Sequence, residues 1–233
     1  ALRKYRASDN PARWKGHLDK LLPAPSKIQK VEHHRALPAA QMPTFISDLQ
    51  TREGIAARAL EFAVLCAARS GEVRGARWSE IDMVTGVWVV PAQRMKAGKE
   101  HRVPLSTQAM ALLKALPRAT ESALVFDTNQ GKPLSDMALT SVLRRMKVDA
   151  VPHGFRSTFR DWAGEMTNHP REIAEQALAH ALENKVEAAY RRGDALEKRR
   201  AMMQDWADFC YPKVATPPAF KLSDAFTGGK RAG

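Results

Sequence analysis

Apolar residues recur at helical spacing along most of this chain. Met42, Phe45, Ile46 and Leu49 follow Pro38 at intervals of three and four, which predicts a helix over 38–49. Residues 53–68, with Leu60, Val64 and Leu65, predict a second and more apolar helix. The pattern then changes. The stretch GVWVVPAQ at 86–93 is β-branched and aromatic and predicts a strand; Ala97-Gly98-Lys99 reads as a turn, and HRVPL at 101–105 as the returning strand. Ser106 is placed to cap a helix running to Leu116. The apolar run ALVF at 123–126 fits either a short strand or a packed loop. Helical patterns resume over 135–147, 153–166, 170–179, 183–190 and 194–209. Upstream, Asn10 and Pro11 form a helix-start signal, with Trp14, Leu18, Leu21 and Leu22 on one face.

These elements predict a mainly α fold with a small antiparallel β-sheet (α+β) over residues 38–210. Residues 1–22 read as the C-terminal end of another helical unit, 23–37 as a linker with two prolines and no periodicity, and 211–233 as an extended or mobile basic tail. The first seven residues look like a helix already under way, so a fragment lacking upstream sequence is expected. For helix 194–209, with Leu196, Met202, Met203, Trp206 and Phe209, docking on its own domain is favoured over docking on a partner.

Composition narrows the class. Hydrophobic residues make up 44% of the 233, enough for a real core, and no apolar run approaches the ~20 residues that span a bilayer. Two cysteines make a disulfide framework implausible and a reducing cytoplasm the natural compartment. With 37 Lys+Arg against 25 Asp+Glu, the net charge of +12 favours a polyanion, nucleic acid above all. That excess is uneven: residues 1–37 carry +6 and residues 211–233 carry +3, leaving only +3 on the 173 residues between. The flanks are therefore suited to gripping phosphates, while the body depends on a few placed cations.

Phosphate-loop, dinucleotide-binding and H-E-x-x-H motifs are absent from the sequence, and its histidines are not grouped as metal ligands, so no cofactor or metal is implied. His33-His34 reads as a solvated pair and Cys66 as a core residue. What remains is scattered and basic. AARSGEVRGARW (67–78) places Arg69 at the end of a buried helix, where either an ion pair with Glu72 or a bound anion would account for it. Lys96 stands just before the hairpin turn. His153 and Arg156 lie three apart near a helix N-terminus, an end that favours anions. His180 falls in a turn between helices, and Tyr190 sits near a helix end beside Arg191-Arg192.

Singly, each of these residues fits a structural role. Their order, carried by AARSGEVRGARW, RMKAGKEHRVPLS, HGFRSTFRDWAGE and LAHALENKVEAAY, resembles the tyrosine recombinase (phage integrase) family, in particular integrases of prophages and genomic islands. RASDNPARW, followed by the linker and HHRALP, resembles the end of that family's core-binding domain, and residues 38–210 its catalytic domain. The resemblance implies site-specific DNA recombination for integration or excision of a mobile element, through a 3′-phosphotyrosine. It implies Tyr190 as nucleophile, Arg69 and Arg156 as phosphate clamps, and His153 as general base or phosphate donor. Lys96 would be the acid for the 5′-oxygen, His180 a phosphate ligand and orienter of Tyr190, and Glu72 the brace of Arg69. It also implies double-stranded DNA attachment sites as partners, a homotetramer on DNA, accessory DNA-bending proteins and a cytoplasmic setting, with no membrane. A non-catalytic DNA-binding module and a type IB topoisomerase-like enzyme are the alternatives. Two departures stand out: Ala179 where the family often has Gly, and CAA before Arg69 where a TG-containing form is commoner. Neither touches a reacting group, so an active enzyme is expected.

Overall fold

A computed structural model describes residues 13, 15, 18–21, 34–117, 123–128, 131–180 and 193–211. The chain divides into two compact units, Ala1–His34 and Arg35–Gly233. The described part of the first includes one short helix, α1 (Asp19–Leu21).

The second unit is mainly helical with a small antiparallel sheet, as the hydrophobic pattern predicts. A 3-10 turn (Ala39–Gln41) leads into α2 (Met42–Gln50), whose Met42, Phe45, Ile46 and Leu49 are all buried. α3 (Ile55–Leu65) runs through the middle of the core: eight of its residues, Ala57 and Ala59–Leu65, are buried. Phe62 packs on Trp88 and Phe126 at ring-centroid distances of 5.4 and 5.3 Å. Burial on all sides leaves one acidic residue of α3 inside, Glu61. Its carboxylate pairs with Arg58 at 2.6 Å and accepts from Gln50 Nε2 at 3.2 Å and from the Tyr211 hydroxyl, partners that a buried charge requires.

α3 ends at Leu65, three residues sooner than the sequence predicts. Ala67 turns the chain with φ +47°, and α4 (Ser70–Arg74) begins with Arg69 as its N-cap. Arg69 therefore opens a short helix and does not close a long one. The strands follow as β1 (Ile81–Asp82), β2 (Val87–Val90) and β3 (His101–Pro104), in spatial order β1-β2-β3 with both pairs antiparallel. In register, Trp88 faces Ile81 and Val103, and Val90 faces His101. β1 has too few residues to show a period and was invisible in the sequence. Residues 123–126 resolve as a packed loop, with Val125 and Phe126 buried and Leu124 making one isolated bridge to Arg77.

α5 (Thr107–Ala115) starts at the expected cap, where Ser106 Oγ accepts from the Ala109 N–H at 3.2 Å. α6 (Ala138–Arg145), α7 (Gly154–Glu165), α8 (Arg171–Ala177) and α9 (Leu196–Cys210) complete the described elements. The predicted helix over 183–190 lies outside the described residues. α9 docks on its own domain. Met202, Met203, Trp206, Ala207 and Cys210 are buried, and Trp206 Nε1 donates to the Val64 carbonyl at 2.9 Å. Trp206 also meets Trp162 at 5.1 Å and Phe159 at 5.5 Å, which ties α9 to α7.

Candidate active site

The N-terminus of α7 is set by a close backbone approach. A Cβ on Gly154 would stand 2.0 Å from the Arg35 carbonyl oxygen, so no side chain fits there. The segment entering the domain lies along this helix start: the Val151 N–H donates to the Arg35 carbonyl at 3.1 Å, and Thr158 Oγ1 to the Leu37 carbonyl at 2.6 Å. His153 is the exposed N-cap of α7, and Arg156, three residues on, is 4% exposed.

Arg156 reaches the two turns that the sequence singled out. Its Nη1 donates to the Ala67 carbonyl and its Nη2 to the Leu178 carbonyl, both at 2.5 Å, and Nη2 lies 3.3 Å from His180 Nε2. The Nε of Arg156 is buried with no hydrogen-bond partner among the described residues. Burial first, and then the neighbouring Arg69 charge, pulls the Arg156 pKa down to about 10, against the opposing pull of Glu72 and Glu175. The side chain is still a cation at neutral pH, but one whose surroundings favour an added anion.

Arg69 and Glu72 form the ion pair that was one of its two sequence readings. Glu72, 4% exposed, accepts from the Arg69 N–H at 3.0 Å and pairs with Arg69 Nη1 at 2.7 Å. One carboxylate thus caps α4 and aims the guanidinium. His180 follows Ala179, which has φ +49°, and its Nδ1 lies 2.6 Å from Glu175 Oε2. That carboxylate holds a proton on Nδ1, which leaves Nε2 as the atom facing Arg156.

Both departures from the family pattern coincide with left-handed backbone. Ala67 and Ala179 take φ of +47° and +49°, the conformation that glycine adopts without a Cβ penalty. At both turns alanine carries the strain of that conformation.

The structure brings together Arg69, Glu72, Arg156 and His180, with His153 one turn before Arg156 on α7. Lys96 is exposed in the connection between β2 and β3, after a 3-10 turn (Ala92–Arg94) and before Gly98 at φ +62°. Tyr190 lies outside the described residues. Among those residues, no group of three or more His, Cys, Asp or Glu could hold a metal ion, and no helix is long and apolar enough to cross a membrane.

Four residues near this cluster escaped the sequence reading. Arg94 donates to the Glu72 carbonyl at 3.0 Å and pairs with Glu80, so it fastens the root of the Lys96 connection to α4. Glu175 holds His180. His101, on β3, lies with Nε2 3.3 Å from the Ala177 carbonyl. Arg199, 1% exposed, is buried behind β3. Arg94 and His101 both stood in a motif already quoted, but neither an arginine beside a hairpin nor a lone histidine in a strand carries a signal of its contacts.

Comparison with known proteins adds the decisive observation. The model of the phage integrase family matches residues 35–197. The chain belongs to the phage integrase family. It is 36% identical over 202 residues to the integrase of Enterobacteria phage P4, covering 77% of this chain and 46% of that one. The chain spans about half the length of the curated phage and prophage integrases it matches. Among solved structures, the integrase from mycobacterium phage Brujita superposes with a TM-score of 0.56 at 14% identity, covering 76% of this chain and 58% of that one. A lambda integrase tetramer bound to a Holliday junction gives a TM-score of 0.51 at 18% identity, covering 68% of this chain and 49% of that one. These likenesses establish the phage integrase fold for the second unit.

Proposed function

We propose that this chain carries the catalytic part of a site-specific DNA recombinase that cuts and rejoins double-stranded DNA through a tyrosyl ester. The observation that carries the reading is the pairing of two guanidiniums, Arg69 and Arg156, across two αL turns, with His180 directed at the second. Arg69 is aimed by a carboxylate. Arg156 is braced by two carbonyls and has donors remaining. Planar forks that stay charged suit a phosphodiester, and stabilise the more highly charged phosphorane-like transition state more than the monoanionic ground state.

In this reading the Tyr190 oxygen attacks the scissile phosphorus, the P–O bond to the 3′-phosphotyrosine forms, and the P–O5′ bond breaks. His153 takes the phenol proton, and Lys96 gives a proton to the departing 5′-oxygen. His180, held at Nδ1 by Glu175, hydrogen-bonds a non-bridging oxygen through Nε2. The ester retains the energy of the broken bond, so attack by another 5′-hydroxyl restores the backbone without a nucleotide or metal.

The attachment sites of a mobile element, a tetramer formed on DNA as for lambda integrase, accessory bending proteins and action in the bacterial cytoplasm belong to the same proposal. Its test uses nicked duplexes captured covalently by the protein from a random-sequence pool. A protein–DNA adduct that survives EDTA and is abolished by Tyr190→Phe is expected. No adduct on any duplex would leave a DNA-binding module. Relaxation of supercoils without synapsis of two sites would favour the topoisomerase-like alternative.

A further inference from the structure

In the sequence, Tyr190 falls between two fastened points, Ala177 and Asp194. On one side, His101 of β3 holds the Ala177 carbonyl at the end of α8. On the other, four residues past Tyr190, Asp194 is held from two sides. Arg199 Nη2 lies 3.0 Å from Asp194 Oδ2, Arg199 Nε donates to the Asp194 carbonyl at 2.7 Å, and Arg102 Nη1 lies 3.3 Å from Asp194 Oδ2. Arg199 Nη1 completes the grip by donating to the carbonyl of Arg102. Adjacent residues of one strand, His101 and Arg102, thus secure the chain before and after the segment that carries the tyrosine.

A helix of α9's length needs no buried arginine to dock. α9 already buries Met202, Met203, Trp206 and Cys210. A guanidinium that is 1% exposed gains little stability from an ion pair, because desolvation offsets the Coulomb attraction. What three of its nitrogens do achieve is to fix a backbone carbonyl, a carboxylate and a strand in one plane, a task lysine cannot perform. Four residues of extended backbone reach at most about 14 Å, so the grip on Asp194 limits how far from it the chain can carry the Tyr190 backbone.

We infer that the Arg199–Asp194 pair is a positioning device that fixes the C-terminal end of the Tyr190 segment against β3. It acts on the reaction through the placement of the tyrosine oxygen, not through contact with DNA. This rests on the reading of Tyr190 as nucleophile.

The test measures single-turnover adduct formation at saturating concentration of a nicked duplex captured covalently from a random-sequence pool, alongside the Kd for that duplex and the melting temperature. Three variants are used: Tyr190→Phe, Arg199→Met and Asp194→Ser. Serine keeps a hydroxyl to accept from the Leu196 N–H, which Asp194 Oδ1 now does at 3.2 Å, so the helix cap survives while the carboxylate is lost. Asp194 is 42% exposed, so Asp194→Ser folds even if Arg199→Met does not. The expected result is a fall of roughly 10- to 100-fold in the adduct rate for Asp194→Ser, with Kd within about twofold and Tm lowered but still well above the assay temperature. Wild-type rate in Asp194→Ser, with Tyr190→Phe inactive, overturns the inference alone. A rate loss explained by unfolding at the assay temperature or by a matching loss in Kd assigns the pair a merely structural role and also overturns it. Adducts formed by Tyr190→Phe, or none formed by the unaltered protein, remove the nucleophile reading, and the inference falls with it.

Discussion

Arg156 and Ala67 are joined by a 2.5 Å hydrogen bond from Nη1 to a carbonyl that belongs to a left-handed turn, and Nη2 makes the matching bond to Leu178, the residue before the second such turn. One guanidinium therefore splices the corner that presents Arg69 to the corner that presents His180. Arg156→Lys removes the fork and leaves at least one buried carbonyl unsatisfied. Stability should fall by about 1–3 kcal/mol in a urea titration. Adduct formation on a nicked duplex should fall by roughly 100- to 1,000-fold. Unchanged stability would mean the splice is not holding the corners.

The αL alanines of the two site turns, Ala67 and Ala179, should respond differently to glycine. In both, glycine relieves backbone strain of about 1–2 kcal/mol and gives back somewhat less through the freer unfolded chain. Ala179 is only half-buried, so Ala179→Gly should raise stability by up to about 1 kcal/mol. Ala67 is 1% exposed, and loss of its methyl costs about 0.8 kcal/mol, which should leave Ala67→Gly near neutral. Thermal melts of the two variants check both the sign and the order.

Gly154 gives a sharper contrast. Helix propensity alone says that alanine in α7 adds about 1 kcal/mol. The Arg35 carbonyl, 2.0 Å from where the new Cβ would sit, says the opposite. Gly154→Ala should cost at least about 2 kcal/mol, because the 35–37 segment must move and loosen its bonds to Val151 and Thr158. A stabilised variant would show that the approach is softer than the structure indicates.

His101 makes stability depend on pH. Burial first, then the Arg199 charge, depresses its pKa from 6.5 to about 4; Glu72 and the bond to Ala177 oppose the shift, and Arg156 adds to it. Between those two values the unfolded chain binds the proton and the folded chain does not, so stability falls as pH drops from 6.5 toward 4. The loss should approach roughly 3 kcal/mol. Urea midpoints measured across this range should fall for the native protein and fall much less for His101→Gln.

The legible part of this fold followed from burial with a period. α2, α5, α7 and α9 each bury one stripe, so Met42, Phe45, Ile46 and Leu49, or Met202 and Trp206, announce their helix. α3 is buried on every side, and its end was misread because no polar face marked where the helix stopped. At the site, Arg69 stood out at the end of an apolar run with Glu72 close behind it, and Arg156 by its spacing from His153 at a helix start. Glu175 and Arg94 did not. A glutamate five residues before a histidine, or an arginine beside a hairpin, looks like any solvated charge until the chain folds, and each finds its partner only through a turn or across elements. Arg199 was hidden for the same reason, as one basic residue in a run of three.

The docking of α9 has a mechanical consequence. In the covalent intermediate proposed above, the cut strand would be bonded to the protein through Tyr190. Tension on that strand would run along the chain to Asp194, then into Arg199 and β3, and finally into the ring cluster of Trp206, Trp162 and Phe159. The load would therefore be borne by buried rings of the core, and the severed end could drift only as far as that mooring allows.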